Sequence, residues 1–106
     1  MSLAQERCLA TVDPISVEAL PSLLDQLNGW VVEEGKLVKL HRFANYYESL
    51  AFVNALAWIA HREDHHPEMY VTYNSCKVEF ATHSVDGLSR NDFICAAKVD
   101  ALDFPA

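Results

Sequence analysis

The stretch Tyr46–Arg62, YYESLAFVNALAWIAHR, limits the possible folds more than any other part of this chain. Its length and spacing predict a helix, and Asn45 with Glu48 three residues later resembles a capping box at its start. A helix with one buried face carries a polar stripe on the other. Here Leu50-Ala51-Phe52-Val53 and Ala55-Leu56-Ala57-Trp58-Ile59-Ala60 leave little room for one. The pattern therefore predicts a second buried face, at a contact between subunits. Pro67 drives His66 away from helical angles, so the helix ends before or within the pair His65-His66. The pair thus falls at a helix-to-strand junction. The longest apolar run, Leu50–Ala60, is broken only by Asn54 and is far shorter than the ~20 residues a bilayer span needs, so no membrane crossing is expected.

A β-hairpin is predicted on each side of this helix. Trp30-Val31-Val32 and Leu37–Phe43 are β-prone runs joined around Glu33-Glu34-Gly35-Lys36, a Gly-containing connection of hairpin length. Tyr70–Asn74 and Cys76–Thr82 form the second pair, with Val78 and Phe80 alternating against Lys77 and Glu79. Ahead of them, Ser16 can cap a helix with Leu20, Leu23, Leu24 and Leu27 on its apolar side and Asn28-Gly29 as its stop. Pro21 suits only a first turn, which places the regular part near Leu20. Ser89 and Asp92 mark a final helix through Phe93, Ile94 and Ala97 to about Leu102. Residues 1–14 show no periodicity and are read as a loose lead-in. The order αββαββα within a single domain, 1–106, predicts an α+β fold: a four-stranded, mostly antiparallel sheet with helices packed on one face.

A formal net charge of -7 and a pI near 5.0 argue against direct nucleic-acid binding, which needs clustered Lys and Arg. Cys8, Cys76 and Cys95 lack both the paired spacing of a zinc site and the density of a disulfide scaffold, so reduced thiols are expected, with Cys76 and Cys95 as small core residues. The first residues carry no basic segment leading into an apolar core, and a cytoplasmic location is expected.

Histidine titrates near neutrality and can both give and take protons there. His65 and His66 lie near a helix C-terminus, where an imidazolium is stabilised. His83 ends the second hairpin, at the end nearest the residues before Tyr70, so three rings can converge. His41 is read as a solvated or hydrogen-bonded residue, and Trp30 and Trp58 as packing residues. Zinc is the chemical rival, since three histidines can hold a catalytic metal. The spacing does not favour it, because His61 and His65 stand at i and i+4 but His65 lies at a helix end.

The stretch DHHPEMYVTYNSCKVEFATHSVDGLSRND, Asp64 to Asp92, resembles the pterin-4a-carbinolamine dehydratase family. In that family Asp-His-His-Pro is followed by Tyr-Asn, a strand, and Thr-His before Gly-Leu-Thr/Ser. The resemblance extends upstream to Gly29-Trp30 and covers essentially residues 15 to 103. It implies an α+β hydro-lyase that removes water from 4a-hydroxytetrahydropterin to give quinonoid dihydropterin, without metal or cofactor. It implies a homodimer joined through sheet edges or a homotetramer packed through helices. Carried over by motif, His65, His66 and His83 are its catalytic histidines, while Trp30, Asp64, Pro67, Ala81, Thr82 and Asp92 line or support the pterin pocket. The chain departs from the family pattern at His61, Met69, Ser84-Val85-Asp86 and Asn91. Some members also act as dimerisation cofactors of a homeodomain transcription factor, so a non-catalytic interaction role is the alternative, alongside a pterin- or molybdenum-cofactor-related binding protein.

Overall fold

A computed structural model describes residues 2–102. Two tight hairpins build the sheet. β1 (Val31–Glu33) and β2 (Lys36–Arg42) meet at Glu33↔Lys36. Their turn places both Glu34 (φ 51°) and Gly35 (φ 75°) at positive φ, the backbone that matches the twist of adjoining strands. β3 (Glu68–Thr72) and β4 (Ser75–Phe80) close at Thr72↔Ser75. The second strand of each hairpin lies in the middle, giving the order β1-β2-β4-β3 with every pairing antiparallel. The α+β reading holds. The expected β3 lies two residues too late, since its turn is Tyr73-Asn74 and the strand begins directly after Pro67.

Strand alternation gives the sheet two unlike faces. Leu37, Cys76, Val78 and Phe80 point to the helices and are fully buried, together with Phe52 and Leu56 from α2 (Tyr46–Glu63) and Phe93 and Ile94 from α3 (Arg90–Asp100). α1 (Leu20–Asp25) adds Leu23, with Pro21 in its first turn as expected. α3 stops at Asp100 rather than Leu102.

The start of α2 is only half a capping box. The Asn45 side chain accepts the Glu48 N–H (2.9 Å), but the Glu48 carboxylate accepts from Ala44 rather than Asn45. The other end decides where the histidines go. Asp64 takes a left-handed conformation (φ 53°), its N–H reaches the His61 carbonyl, and the His65 N–H reaches that of Ala60 (3.1 Å). These are the two bonds of a Schellman closure, which turns the chain sharply off the helix axis. His65 is thereby directed back under the sheet while Pro67 leads into β3.

Within the expected loose lead-in, residues 3–9 are pinned to the rest of the fold. Leu3–Gln5 form a 3-10 turn with Leu3 buried in the core, and the Lys98 ammonium donates to the Ala4 carbonyl (2.7 Å). Arg90 grips both Glu6 oxygens (2.8 and 2.7 Å), and this hydrogen-bonded guanidinium holds the Glu6 carboxyl below its usual pKa. Side-chain bonds to α3 replace secondary structure here, which periodicity does not register.

Candidate active site

The ends of three elements meet beneath β4. α2 delivers His65, the segment after β4 delivers Thr82, and the first turn of α3 delivers Asp92. His65 Nε2 lies 2.6 Å from Asp92 Oδ1. The other oxygen, Oδ2, accepts the Ser89 N–H (2.9 Å) and the Thr82 hydroxyl (2.8 Å). Thr82 in turn lies 2.8 Å from the Ser89 hydroxyl. A carboxylate only accepts, so the imidazole donates from Nε2 and keeps Nδ1 as its basic nitrogen. Asp92 is completely buried, and three donors offset the cost of that burial. The His65 ring lies nearly parallel to Phe80 (10°, centroids 6.0 Å apart), which fixes its plane.

Thr82 is held on its own account. It pairs with Gly87 through backbone bonds in both directions, closing a loop that contains the 3-10 turn His83–Val85. His83 therefore leaves a fixed point as an exposed side chain one residue beyond Thr82, and Ala81 sits half-buried on the other side. His66 is exposed. With Leu56, His61, Asp64, Pro67 and Met69 it lines a hollow of about 370 Å³. His61 also lies against the Trp58 ring (5.5 Å).

The expected residues thus divide into groups. His65, Thr82 and Asp92 share one hydrogen-bond network, His83 and Ala81 flank it along the chain, and Asp64, His66 and Pro67 form the adjoining hollow. Trp30 does not reach this surface. It is buried, donates its indole N–H to Asp100 Oδ1 (2.9 Å), and meets the site only through Phe80, at 5.9 Å. The packing reading of Trp30 is the one its geometry fits, whereas Trp58 is 60% exposed. Ser89 and Phe80 are site-supporting residues that sequence reasoning missed. The Ser89/Asp92 capping signal was visible, but not that Asp92 has a second oxygen free for His65.

His41 differs from expectation as well. It sits on the inner face of β2, tilted against Phe52 (centroids 4.5 Å apart), with Nδ1 buried and without a hydrogen bond among the described residues. Burial lowers its pKa to about 4, Lys39 adds to the effect, and the nearby Cys76 backbone and Asp100 offset part of it. No group of three or more His, Cys, Asp or Glu among the described residues is arranged to hold a metal ion. None of the helices described is long and apolar enough to cross a membrane.

Fold and site together define an α+β protein with a carboxylate-held imidazole where a helix gives way to an edge strand. A sequence profile of the pterin 4 alpha carbinolamine dehydratases matches residues 13–102. The chain belongs to this family. A relative from Nitrosomonas europaea, provisionally named a pterin-4-alpha-carbinolamine dehydratase, is 53% identical over 96 residues, covering 90% of this chain and 85% of its own. Another with that provisional name, from Stenotrophomonas maltophilia, is 52% identical over 105 residues, covering 94% and 90%. A crystal structure of a transcriptional coactivator/pterin dehydratase from Brucella melitensis superposes with a TM-score of 0.79 at 28% identity, covering 83% of this chain and 96% of that one.

Proposed function

We propose that this protein dehydrates 4a-hydroxytetrahydropterin to quinonoid dihydropterin, with His65 and His83 moving protons and His66 binding the pterin. The observation that carries this reading is the short contact between His65 and the buried Asp92 carboxylate. Hydroxide leaves C4a poorly unless it is protonated, and electron release from N5 or loss of a ring proton drives it out. One imidazole serves as acid and another as base. Asp92 fixes the tautomer of His65 and stabilises its charged form when Nδ1 takes a proton. His83 is exposed next to the fixed Thr82 and can meet the same ligand from the other side. Asp64, Pro67, Ala81 and Thr82 shape the pocket, and Trp30 supports it from behind Phe80.

The substrate also dehydrates spontaneously, so the test is stopped-flow measurement on freshly generated carbinolamine. The wild-type protein should exceed the background rate, before and after dialysis against a chelator. A His65→Ala/His83→Ala protein that remains folded and still runs well above background would defeat the acid/base assignment.

We infer also a cytoplasmic homo-oligomer. α2 leaves Tyr47 78% and Trp58 60% exposed, apolar area that a partner helix would cover. The same surface favours the second reading, a protein-binding role like that in the name of the Brucella structure. Trp58→Glu should shift the assembly in light scattering while leaving dehydration by each intact site measurable. A wild-type monomer at micromolar concentration would remove the homo-oligomer.

A further inference from the structure

Cys8 and Cys95 are neighbours in space although 87 positions apart in sequence, with their sulfurs separated by 3.6 Å. Cys8 lies in the N-terminal arm and is half-buried, whereas Cys95 is buried one turn beyond Asn91 and Asp92 on α3. The arm is pinned on either side of Cys8. Its own N–H donates to Glu63 Oε1 (2.8 Å), Arg7 pairs with Glu63 Oε2 (2.9 Å), and Leu9 exchanges two hydrogen bonds with the Asn91 side chain (3.0 and 2.8 Å). These contacts hold one thiol against the other, and they are unrelated to proton transfer at His65.

We propose that Cys8 and Cys95 form an oxidation site at which a hydroperoxide, such as hydrogen peroxide, makes a reversible disulfide that locks the arm onto α3. Cys8 is the thiol a small oxidant reaches first. The hydrogen bond with Cys8 and burial both push the Cys95 thiol pKa above its ordinary value, which leaves Cys95 as the resolving partner. In the first step the Cys8 thiolate attacks one peroxide oxygen and the O–O bond breaks. Cys8 becomes a sulfenic acid, and the departing hydroxide takes up the proton that Cys8 released. In the second step the Cys95 sulfur attacks the Cys8 sulfur, the S–O bond breaks, and the leaving hydroxide carries off the Cys95 proton as water. Two thiols and one hydroperoxide molecule thus give one disulfide and two waters when the oxidant is hydrogen peroxide. The peroxide is the species reduced.

The bridge replaces the weak contact of the Cys8 thiol with the Asn91 carbonyl (3.6 Å). It closes most of the chain into a loop, which restricts the unfolded state strongly. It also ties the arm covalently to the helix whose first turn holds Asp92, while Glu63 links the same arm to the end of α2.

The test is to treat the full-length protein with a small molar excess of hydrogen peroxide and count free thiols. Expected are a fall from three free thiols to one, a Cys8–Cys95 peptide in a non-reducing digest, and a rise of at least ~5 °C in the unfolding midpoint. Dithiothreitol should reverse all three. Cys76→Ser should still form the bridge and Cys8→Ser should not. Three unchanged thiols, a bridge that includes Cys76, a bridge between two chains, or Cys8 stopping at the sulfinic acid would each overturn the proposal. Cys8→Ser alters the arm rather than the core, so its result stands even if variants at buried Cys95 fail to fold. None of these outcomes depends on the pterin reading.

Discussion

His65 and His41 are both partly buried imidazoles laid against a phenylalanine beneath the same sheet, yet their surroundings are opposite. His65 rests on Phe80 and meets a buried carboxylate. His41 rests on Phe52 with its Nδ1 unpaired among the described residues. The first environment gives the ring a hydrogen-bond acceptor. The second penalises protonation of the ring, because burial disfavours the charge more than the Cys76 backbone and Asp100 favour it. Burial against an aromatic ring therefore does not separate the two histidines, and the carboxylate partner does.

The strongest way to break this contrast is to remove His65 itself. His65→Ala should lower the dehydration rate about 10²- to 10⁴-fold while leaving circular dichroism unchanged. Equal rates in mutant and wild type would reduce the Asp92 contact to a structural bond. Removing only the partner's charge is the next test: Asp92→Asn should cost about 10²-fold in kcat, and almost nothing further when His65 is already Ala. Full additivity of the two changes would show that Asp92 acts elsewhere.

The His41 side of the contrast is a matter of pH. Its folded pKa, about 4, lies below the ordinary value near 6.5, so the folded state holds fewer protons than the unfolded chain. Stability is fully present above about pH 6.5 and is lost as pH falls toward 4. The loss should amount to about 1–2 kcal/mol after allowance for partial solvent access. Urea denaturation at pH 7 and pH 5 should show His41→Phe with a flatter dependence, and identical slopes would sink the account. Glu63 acts lower on the scale. Burial works against its carboxylate, but the Cys8 N–H, Arg7 and Lys98 outweigh burial and keep its pKa below the usual 4.5.

The smallest expected effect concerns how His65 is aimed. Asp64 occupies a left-handed backbone position, so Asp64→Ala should destabilise the protein by about 1 kcal/mol and Asp64→Gly should be neutral or better. An opposite ranking in thermal melts would mean that the Asp64 side chain, not its backbone, sets the turn.

The order of elements was readable from the sequence because each has its own local signal: Pro21 in a first turn, Glu34-Gly35 between two strands, Ser89 and Asp92 before a helix. Pairing within each hairpin followed from the short connections, whereas the β2–β4 pairing came from the structure. Long-range polar contacts were not readable. Nothing in the spacing of Asn91 and Leu9, Lys98 and Ala4, or His65 and Asp92 announces that they meet. His41 misled for the same reason, since its alternation within β2 marks an inward position while its residue type suggests water. The histidine motif pointed to the right junction, but the roles of Ser89, Phe80 and Trp30 depend on which way side chains turn after the backbone is set.

Asp92 ties the start of α3 to the placement of His65. Its Oδ2 completes the cap that starts α3, and its Oδ1 holds His65 at the end of α2. Fraying of the first turn of α3 therefore releases the imidazole in the same event, with no need for the core to open. Amide protons of that turn and the competence of His65 then belong to one opening equilibrium, and hydrogen exchange there reads out how often the site is assembled. Selection on either property acts on both, so α3 cannot gain mobility at its start without taking the site apart.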